Sequence, residues 1–260
     1  MGNMLKSSQK PALIAGNEPS TPPDLNTPPS KLKRIGVLRM PMPWHKPIVR
    51  EHNADAVILL HGLWRSVWAM EPMAKYLHQQ SYHTINVPYP SFRKPTEELA
   101  EIIHEAIQIH GGKRKIHFVT HSLGGVLARK LLLMIPEEQT GRLVMLAPPN
   151  QGSEIVDWAS QIKPLARTLG PAGIELGSNS IKAPPLSDKV DSAVIMGNQS
   201  SIPFFRRLLD KENDGIVSVE RGKIEGMDEF HILDADHTFI ASDPRVMKIT
   251  LKFLRDGKTD

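Results

Sequence analysis

A chain of 260 residues, 40% hydrophobic and 23% charged, is long enough for one large α/β domain and ordinary in composition for a globular protein. It has no cysteine, which excludes disulfides, a cysteine nucleophile and thiolate metal sites. The net charge of +4 is already present in residues 1–55, where eight Lys/Arg stand against four Asp/Glu. The rest is balanced, so the body offers no basic face for nucleic acid.

Pro11, Pro19, Pro22, Pro23, Pro28 and Pro29, with Ser, Thr and Asn between them, make the first 30 residues a poor candidate for packing. Residues 1–50 are read as a disordered or extended arm, and 51–260 as one domain. The basic arm allows peripheral contact with an anionic surface, although a solvated tail explains it as well. Ile35–Leu38 and Ile48-Val49 are short edge-strand candidates broken up by Pro41, Pro43 and Pro47. Lys6 stands where a myristoylation signal needs Ser or Thr. No apolar run reaches the ~18 residues of a membrane span. The N-terminus lacks the apolar core of a secretory leader, so a cytoplasmic location is expected.

From residue 56 the pattern alternates. Ala56–Leu60 is a continuous apolar run, suited to a strand buried on both faces. Val67–His78 has helical spacing, and Thr84–Val87 is a short strand ending in Pro88-Tyr89-Pro90. Thr96–Ile109 reads as an amphipathic helix, with Leu99, Ile102, Ile103, Ala106 and Ile107 on one face and acids in its first turn. Strands follow at Ile116–Val119, Arg142–Leu146, Ala193–Met196 and Phe230–Leu233, with helices at Val126–Ile135 and Arg245–Leu254. This alternation predicts an α/β fold with a mostly parallel central sheet and helices on both faces. Residues 154–190, with Trp158, Leu165, Leu169 and Pro171, have room for one or two short helices, and a stretch this long in a compact domain suggests a small lid.

The chemistry centres on Thr120-His121-Ser122-Leu123-Gly124-Gly125, between a strand and a helix. A serine on so sharp a turn points its hydroxyl away from the backbone, beside the unpaired N–H groups of a helix start. The alternative is an ordinary helix-capping serine. A serine nucleophile also needs a base, an acid to orient it and oxyanion donors, which in this architecture gather at the carboxyl ends of strands. His237 lies just after the last strand, in Asp234-Ala235-Asp236-His237-Thr238, and is the candidate base. Asp214, in Asn213-Asp214-Gly215, precedes it and is the candidate acid, unless Asp214-Gly215 is only a turn pair. His61-Gly62-Leu63 directly follows Leu60, which makes the N–H groups of Leu63 and Leu123 the candidate oxyanion donors. His61, Gly62, Trp64 and His121 are assigned to the substrate-facing wall. His117 and His121 share a four-residue spacing on a strand, where it spans about 13 Å, too far for one metal ion, so no metal is expected.

Taken together, His61-Gly62, the elbow at Ser122, Asn213-Asp214-Gly215-Ile216-Val217 and Asp236-His237 resemble the α/β-hydrolase superfamily, and small bacterial lipases and carboxylesterases most of all. Ala147-Pro148-Pro149-Asn150 is similar to the loop that shapes the site wall in those enzymes. Thr120 departs from the glycine usual at that point of the motif. The resemblance implies a carboxylic ester hydrolase working through an acyl-enzyme on a small-molecule or lipid ester, without a cofactor. An acyltransferase with the same three residues, or a non-catalytic binding protein on the same fold, would share these features.

Overall fold

The computed structural model describes residues 46–259 apart from 182, 201–208 and 210; the expected arm over residues 1–30 and the strand at 35–38 lie outside them. Seven strands form one sheet in the order β1-β3-β2-β4-β5-β6-β7. They are β1 (Ile48–Arg50), β2 (Ala56–Leu60), β3 (His83–Val87), β4 (Ile116–His121), β5 (Thr140–Leu146), β6 (Ser192–Gln199) and β7 (Glu229–Asp236). Only β1 is antiparallel, paired with β3; every other pairing is parallel. Because β1 belongs to the sheet, the folded body includes residues 48–50, which the sequence reading had placed in the arm.

Side-chain alternation along the strands divides the core into two layers. Ile58, Leu60, Phe118, Leu143, Met145, Val194 and Met196 face one side. There they meet Leu99, Ile103 and Ile107 of α2 (Thr96–His110) and Val126, Leu127 and Leu131 of α3 (Leu123–Leu131). Val57, Leu59, Val119, Val144, Leu146, Ala193 and Ile195 face the other. Their partners are Met70, Met73 and Leu77 of α1 (Val67–Gln79) and Val246 and Phe253 of the closing helix α6 (Pro244–Asp256). β2 reads as an unbroken apolar run for this reason: both of its faces are covered.

Two helices lie between β5 and β6, α4 (Glu154–Ser160) and α5 (Lys163–Ile174). The second is two pieces joined at Gly170, whose φ of 68° and ψ of 176° break the helix. Several bonds tie this segment to the body. Glu175 accepts from Thr96 N at 3.1 Å and also from Thr96 Oγ1. Trp64 Nε1 donates to Thr168 O at 2.9 Å. Glu154 pairs with Arg221 at 2.7 Å. From beneath, the buried Arg129 of α3 donates to Pro184 O and Ala183 O.

The helix after Ser122 begins at Leu123, three residues earlier than its apolar spacing suggests. Gly124 explains the difference. A Cβ there would lie 2.7 Å from Leu60 O and 2.9 Å from Leu60 Cβ, so the helix touches the neighbouring strand backbone. Gly125 lies instead against Pro148 and Met145, where a Cβ would come within 3.1 Å and 3.4 Å. Tertiary packing holds both glycines in a helix despite their poor propensity.

Candidate active site

Strain marks the carboxyl rim of the sheet. Three of the four non-glycine residues with positive φ stand just past strands there: Trp64 (55°) after β2, Ser122 (52°) after β4 and Ala147 (49°) after β5. Each such residue costs on the order of 1–3 kcal/mol and persists where the surroundings over-determine it, commonly at functional sites. Ser122 has ψ of −120°, and its N–H donates to Leu146 O at 2.9 Å. That bond holds the turn against the next strand. Its Oγ makes no hydrogen bond to another described residue, and the serine is buried to all but 7%. Thr120, in place of the usual small glycine, is fully buried and points its Oγ1 to Val144 O at 3.4 Å.

β7 runs to Asp236, three residues beyond its apolar pattern, and so carries His237 to the same rim. The extension pairs Gln199 with Asp236 beyond a register shift at Gly197. His237 Nδ1 donates to Asp214 Oδ2 at 2.7 Å. Asp214 is fully buried, and its Oδ1 accepts from Ile216 N at 3.0 Å and Val217 N at 2.9 Å. A second link, from His237 N to Asp214 O at 3.2 Å, makes the two loops one unit. With the proton of His237 on Nδ1, its Nε2 keeps a lone pair able to accept a proton. The His237 ring lies 4.9 Å, centroid to centroid, from that of His121, the residue before Ser122. Residues separated widely in sequence therefore converge at one end of the sheet: Ser122, Asp214 and His237.

Gly62 lies directly against the elbow. A Cβ there would come within 3.0 Å of His121 Nδ1 and 3.2 Å of Ser122 Cβ, so only glycine lets the loop after β2 approach so closely. Leu123 N opens α3, where an N–H has no intrahelical acceptor, and Leu63 N likewise has no acceptor among the described residues. Gly173 of α5 packs on the Leu63 side chain.

The two histidines assigned to the substrate-facing wall are both buried. His61 is 1% exposed, stacks on Tyr89 with ring centroids 4.0 Å apart, and donates from Nδ1 to Gly62 O at 2.9 Å. His121 is 3% exposed and donates from Nε2 to His237 O at 2.8 Å. Both rings are turned into protein because burial in this floor leaves them no open face. His121 Nδ1 is left without a partner. Of the four wall residues only Trp64 is exposed.

Sequence reasoning passed over Tyr89 and Ser91. Tyr89 Oη donates to His61 O, and Ser91 Oγ accepts from Trp64 N at 3.1 Å, so the loop after β3 braces the loop after β2. The signal was present in Pro88-Tyr89-Pro90, a stiff segment at a strand's carboxyl end.

Burial sets the charge state of this floor. It drives the His61 pKa from 6.5 down to about 4, against the Gly62 carbonyl, which raises it; Arg65 lowers it further. His121 is pushed well below its ordinary value, again first by burial and then by His237. The unfolded chain takes up a proton on His61 below pH 6.5, whereas the folded chain refuses it until about 4. Folding is therefore progressively weakened as pH falls through that window, by on the order of 3 kcal/mol for this group at the acid end. The urea midpoint is expected to drop between pH 7 and pH 4.5, and His61→Gln should flatten that drop. Parallel acid limbs for the two proteins would refute the assignment.

The sheet order and the strand–serine–helix turn together define the class, an α/β hydrolase. The chain belongs to the alpha/beta hydrolase family, whose model matches residues 57–212. No curated protein matches it in sequence. Among solved structures, a Bacillus licheniformis lipase in its mature form is similar with a TM-score of 0.67 at 18% identity, over 80% of this chain and 95% of the lipase. A phospholipase from Legionella pneumophila has a TM-score of 0.59 at 17% identity; the match covers 79% of this chain and 60% of that protein. A metagenomic carboxyl esterase gives 0.57 at 19% identity, over 74% of this chain and 67% of the esterase. At these identities the likeness is one of fold.

Proposed function

We propose that this protein hydrolyses carboxylic esters through a covalent acyl-enzyme on Ser122. The observation that carries the proposal is the buried Asp214–His237 bond of 2.7 Å, seated beside the strained serine turn. His237 Nε2 takes the Ser122 proton as Oγ attacks the ester carbonyl, and the negative charge develops on the former carbonyl oxygen. The N–H groups of Leu63 and Leu123 hold that oxygen. The tetrahedral species then collapses: the carbon–oxygen bond to the alcohol breaks and the imidazolium returns its proton to the leaving alkoxide. Water repeats the sequence, releasing the acid and restoring the serine. Asp214 keeps the proton of neutral His237 on Nδ1 and stabilises the imidazolium without taking the proton itself.

Supporting the ester as substrate class are the lipase, phospholipase and esterase folds that the chain resembles. The half-buried Leu63 and the α4–α5 segment above it give an apolar acyl side, with α4–α5 as the small lid. A fluorophosphonate probe tests the nucleophile. It should label the wild-type protein at Ser122 and leave Ser122→Ala unlabelled, and labelling of another residue would overturn the assignment.

A further inference from the structure

Nine large hydrophobic side chains are exposed among the described residues, and six of them share one rim. Trp64 and Trp68 follow β2, Phe92 follows β3, Phe239 follows β7, and Ile162 and Ile174 flank α5 in the segment after β5. All four exposed aromatics are in this group. Trp64 is 55% exposed, Phe239 64% and Trp68 65%, values high for residues that normally dominate cores.

The segments that carry Trp64, Phe92 and Phe239 are linked to one another or to α5. Arg65 donates to Thr238 O at 3.0 Å, which joins the Trp64 loop to the Phe239 loop. Trp64 reaches Thr168 of α5, and the Phe92 carbonyl abuts Gly170 of the same helix. The apolar groups thus ring the mouth of the site.

The same segments carry exposed, unpaired cations. Arg65, Arg93, Lys163 and Arg167 are exposed, and none has a carboxylate partner among the described residues. Arg93 instead lies over the Phe92 ring, 5.3 Å from its centroid. Of the nearby acids, Glu98 is paired with Lys94 and Glu154 with Arg221, while Asp157, Glu175 and Asp236 accept from the backbone N–H groups of Ser178, Thr96 and Thr238. Exposed Trp and Phe interleaved with exposed, unpaired cations suit the boundary of an anionic bilayer, where rings enter the headgroup layer and cations meet phosphates.

We propose that this rim docks the protein on an anionic lipid surface with the mouth of the site facing the membrane. The proposal does not depend on the catalytic reading and is tested in the inactive background. Full-length Ser122→Ala protein is mixed with phosphatidylcholine vesicles, with or without phosphatidylglycerol, and the bound fraction is read by flotation. It should float with the anionic vesicles, with a blue shift in tryptophan emission. Trp68→Ser/Phe239→Ser should weaken that binding by about tenfold or more. Lys163→Glu/Arg167→Glu should weaken binding to anionic vesicles and leave any residual binding to neutral ones unchanged. Circular dichroism melts confirm that both variants are folded. Equal binding by the aromatic variant would mean that the basic residues 1–55 carry the attachment, and would overturn the proposal. So would failure of the parent to float, or self-association in light scattering that the aromatic variant abolishes.

Discussion

Ser122→Ala is expected to reduce turnover on a p-nitrophenyl ester by about 10⁶-fold, with KM little changed and the protein still folded. The size follows from what the hydroxyl does in the proposed mechanism. It forms the bond to carbon, and neither the base nor the oxyanion donors can replace that bond. What remains would be a residual rate from polarisation of the ester by Leu63 and Leu123, which lifts a water attack above solution but far below the acyl-enzyme route. The fold should be indifferent. Ser122 Oγ bonds to no other described residue, and alanine at φ 52° meets the same backbone strain as serine, held by the same Ser122 N to Leu146 O bond. A steady-state assay beside a thermal melt gives both readings. Retention of most of the activity would remove Ser122 from the nucleophile's role.

Asp214→Asn is expected to cost about 10⁴-fold in kcat, again with little effect on KM. The carboxylate is held by two different sets of donors. Oδ1 faces the Ile216 and Val217 N–H groups, so an asparagine must keep its oxygen there. Its NH₂ then occupies the place of Oδ2, opposite His237 Nδ1. Two donors cannot share that bond, so the imidazole moves its proton to Nε2 and loses the lone pair that would accept from Ser122. The loop would keep its shape while the base is disabled. A wild-type melting temperature with a kcat loss near this size would support the role; a variant of full activity would reduce Asp214 to a turn residue.

The strands were readable because they are buried on both faces: Ala56–Leu60 and Ile116–Val119 contain no polar residue except His117. Ends were less visible. β7 outlasts its apolar pattern because it is an edge strand whose last residues, Asp234 and Asp236, face loops and solvent and so break the alternation. The start of α3 was obscured by Gly124 and Gly125, which are poor helix formers held there by close packing on Leu60 and on Pro148 and Met145 respectively. The surroundings of His61 and His121 were not visible either, since nothing local distinguishes a histidine that lines a cavity from one stacked beneath it, as His61 is on Tyr89.

Local order and hydrophobic spacing along the chain decided the α/β architecture, the position of a serine between strand and helix, and the order Ser122, Asp214, His237. These are properties of short segments, in which burial on both faces and a forced turn leave their mark on neighbouring residues. The tertiary structure alone decided which of eleven histidines meets Asp214, which rings are sealed into the floor, and that exposed aromatics from three separate connections share one rim. Those outcomes depend on strands distant in sequence being hydrogen-bonded side by side, and a one-dimensional pattern carries no record of which carboxyl ends become neighbours.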